Sequence, residues 1–321
     1  MKKILPAILM VFVLALSSCS QVLDISAKPE DSRTVVRIGS TKINRDYYYY
    51  VFMNTWSDLC GGDMDLIYGD PVMQAELNDM VLETLSRNTA IEQLAKKHGV
   101  KLTSEEKELI KSRLDALKND PESDYAESLK SNYMTEYTLE YVQSFEVLWG
   151  KVYSYVTDIG NGIVPCSGDD VKKSFSEDFG RIKYVMVSKD REDALDIART
   201  VATLTDREEF EELIRQYNDD ANMDALVDDG YYFIKGQIIP DVEEAVAEME
   251  TGQISPVIDT DIGYFIIKKF EPEQSYLDSN YKSVEEKYLA KQFNAMVDEI
   301  MDGFSIKYTA LYREFTVFKT E

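Results

Sequence analysis

The chain has 321 residues, a formal net charge of −24, one histidine and three cysteines. Such acidity argues against nucleic acid, because phosphate binding needs clustered Lys and Arg. A hydrophobic fraction of 44% excludes a disordered chain, and the length allows two domains.

Residues 1–18 read as an export signal. Lys2 and Lys3 precede an apolar run over residues 4–16, which is shorter than the ~20 residues a membrane-spanning helix needs. The run ends in Leu16-Ser17-Ser18-Cys19, which resembles the lipobox of bacterial lipoproteins. That resemblance implies lipid attachment at Cys19 and a place at the extracytoplasmic face of the membrane. Two or more acyl chains hold a protein stably on a bilayer. Residues 19–32 are polar, contain Pro29 and read as a flexible tether that keeps the acidic body off the lipid.

A β-type run over residues 34–38 follows, then a Gly39-Ser40 turn and Asn44 as a helix cap. In that helix Tyr49, Phe52, Met53 and Trp56 fall on one face, which leaves Tyr47, Tyr48 and Tyr50 exposed. Residues 71–98 predict a helix stopped by Gly99, with basic Lys96-Lys97-His98 complementing its dipole. Thr103 and Glu106 form a capping box for a helix to about residue 118. Tyr133, Tyr137, Tyr141, Phe145, Leu148, Val152 and Tyr155 advance at helical period and read as packing. Gly160, Gly162, Pro165 and Gly168 mark a boundary.

After a capped helix at residues 167–179 the pattern changes. Strands are expected at 182–187, 231–233, 257–258 and 264–270, with helices at 191–204, 207–217 and 242–249. The order βααβαββ describes a compact α+β domain. A last helix places Tyr281, Val284, Tyr288, Leu289, Phe293, Met296 and Ile300 on one face, and residues 305–318 are β-type. The strands near Val36 and Tyr308 are each too short to stand alone, and pair in this reading. Cys60 and Cys166 are either a disulfide or two thiols. One His and no Cys/His cluster leave no metal site and imply no cofactor. Asp220, Asn222 and Asp224 begin like a calcium loop but lack the Gly and Glu it needs further on; Ala225 and Tyr231 stand there.

Residues 181–271 resemble a parvulin-type peptidyl-prolyl isomerase domain. The resemblance is carried by Tyr184-Val185-Met186-Val187, by Phe210 through Asp220, and by Gly230-Tyr231-Tyr232-Phe233 with Lys235-Gly236-Gln237-Ile238 and Val242-Glu243. Thr251-Gly252-Gln253-Ile254-Ser255-Pro256-Val257 and Gly263-Tyr264-Phe265-Ile266-Ile267 complete it. With the lipobox and helical flanks, the chain is similar to the PrsA and SurA families of foldases and chaperones. That similarity implies an α+β fold in which residues 33–178 and 272–321 form a mainly helical chaperone domain and residues 179–271 are inserted in it. It also implies unfolded exported polypeptides as partners. Trp56, Trp149 and many tyrosines of the helical part offer large contact area at low entropic cost and are the expected client contacts.

The family's cleft has two facing histidines, an acidic or Cys residue, and apolar side chains gripping the proline ring. Here Tyr184 and Phe265 stand at the histidine positions, Ile262 at a Ser-type position, Ile238 at the Met position and Val242 at the Phe position. Asp220 keeps the acidic option, and Phe233 belongs to the cleft-wall segment. Asp220 and Tyr184 are therefore the catalytic candidates, and Phe233, Ile238, Val242, Ile262 and Phe265 the peptide-binding ones. Three readings follow: a foldase or holdase with weak or absent isomerase activity, an active isomerase with changed chemistry, or a lipoprotein binding one dedicated partner.

Overall fold

The computed structural model describes residues 22–68, 70–121, 124–205 and 208–315. Cys19, its lipobox and the export signal lie outside the described residues. The chain forms two compact units, one of residues 1–163 with 293–321 and one of residues 164–292.

In the first unit, β1 (Thr34–Ile38) and β2 (Thr41–Asn44) form a hairpin with Arg37 opposite Lys42. The Asn44 side chain accepts from the Tyr47 amide and starts α1 (Arg45–Leu59). The buried face of α1 is not the expected one. Tyr47, Tyr48, Val51, Phe52 and Trp56 are buried, while Tyr49 and Met53 are half-buried. Six consecutive aromatic or aliphatic residues, from Tyr47 to Phe52, carry no internal phase, so tertiary packing selects the face. The Tyr47 hydroxyl accepts from Asn88 at 2.7 Å, which satisfies its polar end inside the core.

Helix α2 (Pro71–His98) is capped by Asp70 and ended by Gly99 in the left-handed region. The Thr103–Glu106 capping box opens α3 (Ser104–Asn119), and α4 (Tyr125–Ser131) is short. Helix α5 (Glu136–Thr157) buries Tyr137, Leu148, Val152 and Val156. The expected stripe is narrower at both ends: Tyr133 precedes α5 with φ +57°, and Tyr155 is exposed. Trp56 is 8% exposed within this core and Trp149 is 43% exposed. Trp56, expected as a client contact, is therefore a core residue.

Residues 22–32 do not behave as a flexible tether. Leu23 is 4% exposed, and Ile25 and Ala27 pack on the same core. The Glu140 carboxylate accepts from the Ser26 and Ala27 amides, both at 2.8 Å. Buried Asp46 accepts from the Glu30 amide at 2.6 Å and the Asp31 amide at 3.0 Å. Fixed carboxylates thus capture backbone N–H groups, which are present whatever the strap's side chains are.

The second unit opens with α6 (Gly168–Asp178), whose capping box is Ser167 with Asp170. Strand β3 (Phe179–Ser188) leads to α7 (Ala194–Leu204), α8 (Phe210–Tyr217), the one-turn α9 (Ala221–Ala225) and β4 (Tyr231–Ile234). Helix α10 (Pro240–Glu248) and strands β5 (Ile258–Asp259) and β6 (Gly263–Phe270) complete an antiparallel sheet of order β4-β3-β6-β5. The βααβαββ order is therefore present, with α9 as an addition between the elements expected at 207–217 and 231–233. Helix α11 (Gln274–Asp302) has a non-helical residue at Asn280. Leu277, Val284, Leu289, Phe293 and Val297 are buried, whereas Tyr281, expected on that face, is exposed.

Strand β7 (Ile306–Tyr308) pairs with β1, Val36 opposite Tyr308, and gives the first unit's sheet the order β2-β1-β7. The chain then turns into a 3-10 helix, Ala310–Phe315, rather than a longer strand; it puts Phe315 into the core. Cys60 and Cys166 are free thiols.

Candidate active site

A cavity of about 600 Å³ opens on the sheet of the second unit. Tyr184 and Phe265 come from the central strands β3 and β6, Asp220 from the start of α9, Val242 from α10, and Ile238 and Ile262 from loops. Five sequence-predicted residues besides Asp220 thus line one cavity.

Phe233 is set apart from them. Strand alternation puts it on the same side as Tyr231, and the two rings stack at 6.4 Å, 10° from parallel. Only Tyr231 lines the cavity; the Phe233 ring lies over Gly180 of β3, where a Cβ would sit 2.3 Å from its Cζ. Sequence reading also passed over Asn222, Leu226 and Ile239 as lining residues. A helix of five residues is too short to show a period, although Asp220 followed by Asn222 is a cap signal.

Strand β3 is fixed by buried charge. Lys183 is 5% exposed and pairs with Glu211 at 2.6 Å. Arg181 donates to the Asp229 carbonyl at 2.6 Å and pairs with Glu273. The turn before α9 is tied to β3 as well. The Met186 amide donates to Asn218 Oδ1 at 3.0 Å, and the Ser188 amide donates to Asp219 Oδ2 at 3.0 Å. Gly263 is required on the other side, because a Cβ there would meet the Val187 carbonyl oxygen at 2.7 Å.

These ties hold the polar part of the cavity. The Tyr184 hydroxyl donates to Asp220 Oδ2 at 2.6 Å, and the Asn222 amide donates to Oδ1 at 2.9 Å. Burial raises the Tyr184 pKa above the ordinary tyrosine value, and the hydrogen bond to Asp220 and its charge add to this. The tyrosine therefore remains a neutral donor at physiological pH. Tyr184 and Phe265 rings stand 5.4 Å apart and tilted by 54°. Asp220 is the one charged residue among those lining the cavity. No group of three or more His, Cys, Asp or Glu suited to a metal occurs among the described residues. An apolar cavity with one carboxylate–hydroxyl pair suits binding of a peptide and polarisation of an amide.

The family model for the rotamase, or PPIC-type PPIase, domain matches residues 179–271. Residues 179–271 are a parvulin-type rotamase domain, and the chain is PrsA-like. Its similarity extends well past that domain. It is 25% identical to the foldase protein PrsA of Geobacillus kaustophilus over 316 residues, 96% of this chain and 86% of that protein. It is also 25% identical to Bacillus subtilis PrsA over 169 residues, 52% of this chain and 53% of that one. The crystal structure of B. subtilis PrsA overlays with a TM-score of 0.29 at 20% identity, covering 85% of this chain and 91% of that one.

Proposed function

We propose that this PrsA-like protein is a lipid-anchored extracytoplasmic foldase that holds unfolded exported polypeptides, and that its rotamase cleft binds peptide but isomerises poorly. The observation that carries the second part is the pair Tyr184–Phe265. Isomerising an X-Pro bond needs no nucleophile; the catalyst must favour the twisted amide over the planar forms, against a barrier of ~18–20 kcal/mol. In place of two imidazoles the cavity has one hydroxyl already committed to Asp220 and one hydrocarbon ring. Val242, smaller than Phe, grips a proline ring less tightly. A second reading, an isomerase with changed chemistry, is favoured by the same Tyr184–Asp220 pair, since it still presents a polar group beside the amide.

Anchoring rests on the lipobox ending in Cys19. Expressed in a host that processes lipoproteins, Cys19→Ala should leave an uncleaved precursor or release protein from the membrane. Processing and anchoring like the wild type would contradict it.

Client holding by the helical unit is tested with the intact protein and Ile238→Trp, which fills the cleft. Peptide binding at the cleft should fall while suppression of client aggregation persists. Loss of both together would assign the holding activity to the cleft.

A further inference from the structure

The strap formed by residues 22–32 changes what an anchor at Cys19 would do. A free tether from Cys19 to residue 32 reaches ~45 Å when extended. The chain is instead fixed at Leu23, which is 4% exposed and lines a small cavity with Ile43, Tyr137 and Tyr141. Only four residue steps separate Leu23 from Cys19, a reach of ~14 Å at most.

From this we infer that the strap-bearing face of the first unit, with α3 beside it, is a membrane-facing surface held at lipid-headgroup distance. The inference rests on the proposed acylation of Cys19. The strap is anchored by more than apolar burial. Glu140 accepts from the Ser26 amide at 2.8 Å, the Ser26 hydroxyl at 2.9 Å and the Ala27 amide at 2.8 Å. Asp46, 6% exposed, holds the amides of Glu30 and Asp31 further along. Fixing at both points makes the path from lipid to folded unit short and stiff.

The charges of this face are largely paired. The chain as a whole carries −24. Around the strap, however, Lys42, Lys111 and Lys118 line the two cavities that strap residues enter. Lys107 pairs with Asp24 of the strap at 3.0 Å, and Lys118 pairs with Glu136. Lys28 adds an exposed cation. Asp115, Glu136 and Glu140 line the cavity of Lys111 and Lys118, so these lysines are matched by carboxylates and the face stays acidic. The length of the link, not the charge, therefore sets the lipid surface as the partner.

The test uses the acylated full chain in vesicles of phosphatidylglycerol and phosphatidylcholine carrying a headgroup nitroxide. A fluorophore is placed at Lys111→Cys, an exposed α3 position, in a Cys166→Ser background; Cys60 is buried. The comparison variant inserts twenty Gly/Ser residues between Gln21 and Val22, a spacer of ~25 Å root-mean-square length. The probe should be strongly quenched in the parent and at least about threefold less in the insertion variant, as the linker separates the face from the nitroxides. Co-flotation with the vesicles but equal quenching in both would overturn the inference while leaving the anchor intact. Failure to co-float would remove the anchor and the inference with it.

Discussion

Tyr184 and Asp220 are joined by a 2.6 Å hydrogen bond, with the tyrosine hydroxyl as donor and a carboxylate already held by the Asn222 amide as acceptor. Removing the donor leaves one carboxylate oxygen of a partly buried group without its partner. Tyr184→Phe should therefore destabilise the rotamase domain by ~1–3 kcal/mol. Urea unfolding followed by a probe in that unit reads the change; an unchanged midpoint would mean that water replaces the hydroxyl at no cost.

The rings of Tyr184 and Phe265, the two positions proposed to replace histidines, stand 5.4 Å apart. Polar groups placed there act on one amide and act as a unit. Tyr184→His with Phe265→His should raise kcat/KM for a prolyl peptide by about tenfold or more over either single change, a modest share of what positioned polar groups contribute. A double variant no faster than the unaltered protein would show that the aromatic pair does not limit the rate.

Gly180 and Phe233 give a packing prediction in the same sheet. A Cβ on residue 180 would lie 2.3 Å and 2.6 Å from the Phe233 ring atoms Cζ and Cε1. Gly180→Ala should cost ~1–3 kcal/mol through overpacking. Combining it with Phe233→Leu should recover part of that loss, since the clash is removed. A double variant as unstable as the sum of the two would place the strain elsewhere.

Glu92 supplies a pH prediction in the helical unit. Burial raises its pKa above the ordinary 4.5, while the Tyr141 hydroxyl donating to it at 2.5 Å offsets part of the rise. A raised folded pKa means that folding favours the protonated carboxyl. The stabilisation is therefore complete below pH 4.5 and is lost as pH rises through the folded value. Glu92→Gln keeps an acceptor for Tyr141 and removes the ionisation, so it should unfold at a higher temperature than the wild type at pH 7. A lower melting temperature there would show that the ionised carboxylate is stabilising.

Caps and turns were legible because their signals are local: Asn44, Thr103 with Glu106, Ser167 with Asp170, and Gly99 act where their side chains or φ angles require. The cavity residues Tyr184, Asp220, Ile238, Val242, Ile262 and Phe265 were placed through the parvulin resemblance, not through spacing. The strap was not legible, because Glu140 and Asp46 bind backbone amides that leave no mark on the sequence around residue 26. The α1 face was misplaced because Tyr47 through Phe52 is apolar at every step. Phe233 differs from its neighbour Tyr231 only through Gly180 on the adjacent strand, a contact across about fifty residues of sequence.

The central claim is that this chain holds polypeptides while isomerising prolyl bonds poorly. It is tested most directly by running a prolyl isomerisation assay beside an aggregation-suppression assay on one preparation of the protein lacking residues 1–18. The account predicts clear, stoichiometric suppression of client aggregation together with isomerisation near the uncatalysed rate. Isomerisation as fast as that of a histidine-bearing parvulin, from the unaltered cleft of Tyr184, Asp220 and Phe265, would contradict it.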